Sequence, residues 1–204
     1  MIIVDVETSG VDHREHGILS IGAIDFENPK RRFYAECRLS QNIKINEDSL
    51  LINGFLKEQC YDKNKTDIRE TLISFIKWIN ESDDQTIAGQ NVSFDRDFLN
   101  AAAKQLGLDW NCGIRTVDLH TLCYLTLKKE QKEIPLQEHK AKLSLDAIAQ
   151  ALGLPEEPKP HHALNGAKWE AECFSRLLFK KNLLDEFKQY PVIDVDPKRI
   201  KSKK

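Results

Sequence analysis

The sequence predicts a single α/β domain built around a mixed sheet, and three observations carry that prediction. Three strand-like segments follow one another at the start with only turns between them, the mark of an antiparallel meander. Short strands and amphipathic helices then alternate, which calls for parallel strands with helices packed over them. Two carboxylates, Asp5 and Glu7, sit two residues apart in the first strand, Ile2-Ile3-Val4-Asp5-Val6-Glu7-Thr8, and so share one face about 7 Å apart.

The elements follow in order. Residues 2–8 begin with three apolar residues, the pattern of a strand buried on both faces. Residues 11–17 are polar and hold His13 and His16, read as loop residues because no further ligand stands at metal spacing. Residues 18–26 and 32–38 supply the second and third strands, separated by the Asn28-Pro29 turn. Residues 48–60 are helical in pattern but broken at Asn53-Gly54. Residues 66–80 form a clearer helix, with Ile68, Leu72, Phe75, Ile76 and Ile79 making an apolar stripe.

A short strand over 86–90 leads into Asn91-Val92-Ser93-Phe94-Asp95 and a helix that stops at Gly107. Asp95 thus lies in a first helical turn, just past the carboxyl end of a strand, the usual side for sites in α/β sheets. The helix dipole alone also favours an acid there. A strand over 114–117 precedes a helix over 118–127 capped by Asp118. Residues 128–142 read as a loop, and a helix runs from Ser144 to Gly153. The three prolines of residues 154–160 exclude regular structure. They deliver His161 and His162 to the start of a long helix that reaches about residue 181. The domain is expected to occupy residues 1–190, with a basic, disordered tail over 191–204, since five of the last seven residues are Lys or Arg.

Composition narrows the function. With 204 residues, 30% charged and 41% apolar, the chain is an ordinary globular protein able to bury a core. No apolar run is long enough to span a membrane. Five scattered cysteines without a Cys-x-x-Cys pair argue against a disulfide framework or zinc site and for a reduced, cytoplasmic setting. A net charge of −2 does not suit a protein that coats long stretches of nucleic acid. Two carboxylates on one strand face call for a cation, and hard divalent ions prefer oxygen ligands.

The order of these motifs resembles the DEDD-type, DnaQ-like 3′–5′ exonucleases, in the subclass that uses a histidine general base. Asp5-Val6-Glu7-Thr8 is similar to the first motif, Asn91 to Asp95 to the second, and His161-His162-Ala163 to the third. The resemblance covers about residues 1–182. It implies a ribonuclease H-like fold: a five-stranded mixed sheet, an antiparallel meander plus two parallel strands, flanked by helices. It also implies two Mg²⁺ or Mn²⁺ ions about 4 Å apart that activate a water and stabilise the leaving 3′ oxygen. Asp5 would bridge the ions, Glu7 and Asp95 would complete their shells, and His161 would take the water's proton. The implied substrate is the 3′ end of single-stranded DNA or RNA, and the product a 5′-mononucleotide. Thr8, Ile18, Leu19, Asn91 and Phe94 are candidate substrate contacts, Ile18 and Leu19 as a wedge against the last base or, equally, as strand core. A homodimer is a reasonable expectation, and a role as a polymerase's proofreading partner ranks lower.

One position departs from the pattern. The family places a fourth acid five residues after the histidine, where this chain has Gly166. Glu170, one turn later on the same helix face, can lean back over the space that Gly166 vacates. Otherwise one metal binds weakly and activity is low, or the chain is a catalytically impaired module that binds nucleic-acid ends or a protein.

Overall fold

A computed structural model describes residues 1–200. Its centre is β1 (Ile2–Thr8), which pairs antiparallel with β2 (Ile18–Asp25) and parallel with β5 (Ile87–Gly89). β3 (Arg32–Arg38) completes the meander, and β6 (Val117–Asp118) extends the parallel side. The sheet order is β4-β3-β2-β1-β5-β6, β4 being Thr66–Asp67. The predicted mixed α/β sheet is therefore present, with a sixth strand at one edge.

That edge strand corrects the expected start of the second helix. Thr66 and Asp67 pair parallel with Cys37 and Arg38, and Asp67 then caps α2 (Ile68–Ile79), accepting from the Glu70 N–H at 2.9 Å. The strand expected over 114–117 shrinks to the two residues that reach β5, leaving Ile114 exposed. Within the expected loop over 128–142, a small hairpin pairs β7 (Leu136–Gln137) with β8 (Lys140–Ala141). Gly54, with φ 73°, ends α1 (Glu47–Asn53) where the Asn53-Gly54 break predicted.

The alternation of β1 builds two cores. Ile2, Val4 and Val6 pack with α2 and α3 (Ser93–Gln105). Ile3 faces α4 (Leu119–Lys129), α5 (Leu145–Ala151) and α6 (Ala163–Phe179). Each buried Ile or Val contributes about 1.5–3 kcal/mol. Asp5 and Glu7 share the parity of Ile3 and point toward α6.

α6 is held tightly at both ends. Near its start a Cβ on Gly22, the β-partner of Asp5, would come within 2.2 Å of the backbone at Ala163 and Leu164, so only glycine permits the approach. Toward its end Arg176, fully buried, pairs with Glu172 at 2.9 Å and donates to the carbonyls of Leu152, Tyr190 and Pro191. The charge is buried but fully hydrogen-bonded, which is the condition for burying it at all.

That network corrects the tail boundary. Residues 191–200 are packed rather than loose: Val195 is buried in the α4–α6 core, and the Asp196 N–H donates to Ala151 O at 2.8 Å. The pattern of Val192, Ile193 and Val195 was too short to signal this. Residues 201–204 of the expected tail lie outside the described residues.

The fit of α6 on Gly22 gives a direct test. Gly22→Ala should destabilise the protein by about 1–3 kcal/mol, because the added methyl meets backbone that cannot rotate away. Urea unfolding measures it, and a change below about 0.5 kcal/mol would show that the helix yields.

Candidate active site

The carboxylates gather where β1, β5, α3 and α6 meet. Asp5 and Glu7 come from the carboxyl half of β1, where the pairing with β2 slips between Glu7 and Thr8. Asp95 stands in the first turn of α3, and its Oδ1 accepts from the Val6 N–H at 2.9 Å, which ties α3 to β1 between the two acids. Glu170 reaches in from α6. It is 3% exposed, its Oε1 accepts from the Gln90 N–H at 3.0 Å, and its Oε2 is buried without a hydrogen-bond partner.

Gly166 explains how Asp5 and α6 fit. A Cβ at 166 would lie 2.2 Å from Asp5 Oδ2, so the Asp5 carboxylate occupies the space a side chain there would take. The obstruction is the end of a rotatable side chain, not backbone. Glu170, one turn on, supplies a carboxylate to the same cluster: among the charges acting on Asp5 it is the foremost.

The electrostatics record this crowding. Removal from water, and then Glu170, Asp95 and Glu7, push Asp5 well above the carboxylate range. Burial, then Asp95, does the same to Glu170. Burial, with Glu157 next, raises Glu7 to about 7, and burial raises Asp95 to about 8 against the hydrogen bond from Val6. The donors are all carboxylate oxygens, the set that hard divalent cations favour, and Glu170 Oε2 carries no hydrogen bond that would compete with an ion. Among the described residues no three His, Cys, Asp or Glu side chains yet stand close enough to enclose an ion. A divalent ion held by these acids would need their side chains to turn toward one another, a motion open to carboxylates at the ends of rotatable bonds. The residues fit a divalent ion in charge and chemistry.

His161 stands at the end of the Pro-rich loop, partly exposed, and its neighbour Glu157 is the charge that acts most on Glu7. The His161 N–H donates to Ile52 O at 3.1 Å, tying it to α1, and Asn53 Nδ2 in turn donates to Thr8 O at 3.0 Å. The imidazole lies between Glu157, with Nδ1 to Oε2 3.5 Å, and Lys159, with Nε2 to Nζ 2.5 Å. His162 turns away and stacks on Tyr34, ring centroids 4.3 Å apart.

The other candidates divide. Thr8 is buried, and its Oγ1 donates to Gly10 O at 2.7 Å, shaping the turn after β1. Asn91, exposed at φ 53°, donates its N–H to Asp118 Oδ2 at 2.9 Å. Phe94 keeps partial exposure next to Asp95 and packs on Phe98 at 4.8 Å. Ile18 and Leu19 are 2% and 0% exposed and belong to separate apolar clusters, so the wedge expectation gives way to strand core. Their alternation sends one to each side of β2, and both sides are covered. Glu157 is a buried acid that the sequence reading missed. An acid four residues before His161 was the available signal, hidden among prolines that marked only a loop.

A mixed α/β sheet flanked by helices, whose central strand carries buried acids, is an RNase H-like fold. Residues 2–174 match the RNase_T exonuclease family, and the chain belongs to that family. It is 28% identical over 179 residues to the PolC-type DNA polymerase III of Thermotoga maritima, covering 87% of this chain and 12% of the polymerase. The chain thus spans about an eighth of that relative's length. It is also 28% identical over 194 residues to the 3′–5′ DNA exonuclease Cap18 of Escherichia coli, covering 90% of this chain and 95% of Cap18. Among solved structures, E. coli exonuclease I bound to a dA16 oligonucleotide superposes with a TM-score of 0.69 at 17% identity, over 88% of this chain and 40% of that one. The nuclease domain of 3′hExo, a DEDDh family member bound to rAMP, gives 0.65 at 16% identity, over 95% and 96%. The family generally uses divalent metal ions.

The raised carboxyls fix a sign for the effect of pH on the metal-free protein. Between the ordinary carboxylate range and about 7 to 8, folded Glu7 and Asp95 hold protons that the unfolded chain has released. Raising pH through that window therefore costs folded stability. With EDTA present, Tm should fall by about 5 °C from pH 6 to pH 9. Asp5→Asn, which removes one buried acid together with its repulsion, should flatten that slope and raise Tm at pH 9; an unchanged slope in thermal melts would contradict the account.

Proposed function

We propose that this protein is a metal-dependent 3′–5′ exonuclease that hydrolyses the terminal phosphodiester of single-stranded nucleic acid and releases 5′-mononucleotides. The observation that carries the reading is the buried cluster of Asp5, Glu7, Asp95 and Glu170 in an exonuclease-family fold. In this reading the four acids hold two Mg²⁺ or Mn²⁺ ions, with Glu170 in place of the acid that Gly166 lacks. When bound, divalent ions supply positive charge against the developing phosphoryl charge and lower the pKa of water.

The chain's own residues do the rest. The nucleophile is a water held at the edge of the cluster, and His161 accepts its proton through Nε2 as the new P–O bond forms. The bond from phosphorus to the 3′ oxygen breaks, leaving a shortened strand with a 3′-hydroxyl and a mononucleotide with a 5′-phosphate. The Asp95–Val6 hydrogen bond keeps the acid of α3 in register with those of β1. Asn91 and Phe94 keep surface next to Asp95 and are the proposed contacts to the terminal nucleotide. A single strand suits the site because a terminal base has to leave its stack before its phosphodiester reaches buried acids. Exonuclease I, of similar fold, has been captured on dA16 and dT13. DNA is the first substrate to test, given the likeness to Cap18 along nearly its whole length.

The test is digestion of 5′-labelled single-stranded DNA and RNA of the same sequence with Mg²⁺ or Mn²⁺. The expected product is a ladder shortening from the 3′ end, slowed at least ~10²-fold in Asp5→Asn and in Glu170→Ala. Loss in Asp5→Asn alone would leave a site that works with three acids. No digestion by the wild-type protein would overturn the enzyme reading and leave a module that binds nucleic-acid ends.

A further inference from the structure

Glu157 is a buried acid for which the reaction above has no use. It is 4% exposed, lies in the loop between α5 and α6, and its N–H is held by Asp146 Oδ1 at 3.1 Å. Its Oε1 is enclosed without a hydrogen-bond partner, and its Oε2 lies 3.5 Å from His161 Nδ1. On the far side of the same ring, Lys159 Nζ lies 2.5 Å from Nε2.

These two contacts agree on where the ring's proton sits. An ammonium group can only donate, so the nitrogen facing Lys159 presents its lone pair. Burial raises the Glu157 carboxyl to about 7, so above that pH it can only accept, and the proton of the neutral ring lies on Nδ1, toward it. The Ile52 carbonyl fixes the backbone of the same residue at 3.1 Å. The ring is thereby held at both its nitrogens, on an anchored backbone.

We propose that Glu157 is a positioning residue for His161, holding the proton on Nδ1 so that Nε2 faces the reaction as a base. Its catalytic consequence rests on the exonuclease reading; the tautomer does not. As water attacks, its proton moves to Nε2 and the ring becomes an imidazolium whose charge Glu157 offsets, after which the proton leaves to solvent. Lys159, exposed and on a flexible stem, has to vacate Nε2 first. Asp146 Oδ2, 3.6 Å from Nζ, offers it another partner.

The experiment reads the tautomer directly, by long-range ¹H–¹⁵N correlation spectra of protein carrying ¹⁵N-histidine. His161→Gln assigns the ring among the six histidines. Spectra are taken at about pH 8.5, where an ordinary imidazole is neutral. The Nδ1–H form should dominate in the wild type and in Lys159→Met, and the Nε2–H form in Lys159→Met/Glu157→Met. Glu157→Met should lower kcat at least ~10-fold with KM unchanged and Mn²⁺ binding retained. Glu157→Gln, which keeps a carbonyl acceptor, should recover part of the loss.

Dominance of Nε2–H in Lys159→Met, or wild-type turnover by Glu157→Met, would overturn the proposal. Loss of Mn²⁺ binding in Glu157→Met would overturn it too, making Glu157 a ligand. If the tautomers behave as expected while no form digests DNA or RNA, the hold of Glu157 on the ring stands and the exonuclease reading falls.

Discussion

Mutual repulsion among carboxylates at the end of β1 is the constraint around which this molecule is arranged. Asp5, Glu7, Asp95 and Glu170 are drawn together from three separate elements, β1, α3 and α6, and burial and their neighbours raise all of them. Within the cluster, the hydrogen bonds from the Val6 and Gln90 N–H groups to Asp95 and Glu170 work against that cost. The rest of the fold has to hold it, and the apolar faces of β1 do so by packing α2 and α3 on one side and α4 to α6 on the other.

The helix α6 carries most of that burden. It brings both His161, just before its start, and Glu170, two turns in. Its approach to the sheet depends on Gly22, which leaves the backbone at Ala163 room to touch β2. Gly166 sits on the same buried face, against Asp5. Restoring a side chain there would push on a carboxylate that is free to turn, whereas adding one at Gly22 would push on a backbone that is not. The two glycines thus differ in kind: one sets where the helix lies, the other leaves room for the Asp5 carboxylate.

Much of this was legible in the chain. The spacing of Asp5 and Glu7, the position of Asp95 after a strand, and the placement of His161 after a Pro-rich loop were readable, because strand period and helix boundaries fix where such side chains can point. Glu170 could be singled out because a turn of helix separates it from Gly166. What escaped the sequence was tertiary. Ile18 and Leu19 looked available for a base until both faces of β2 proved covered. Residues 191–200 seemed a tail until the carbonyls of Tyr190 and Pro191 were found on buried Arg176. Glu157 gave no periodic signal, and only the fold of its loop turns it toward the imidazole.

The central claim is that Glu170 supplies the acid missing at position 166. Isothermal titration of Mn²⁺ into the wild type, Glu170→Gln and Glu170→Gln/Gly166→Asp tests it without relying on turnover. The account requires Glu170→Gln to weaken binding at least ~10-fold and the second substitution to restore much of it, since Asp5 can rotate to admit the new carboxylate. Mn²⁺ binding in Glu170→Gln equal to that of the wild type would contradict it.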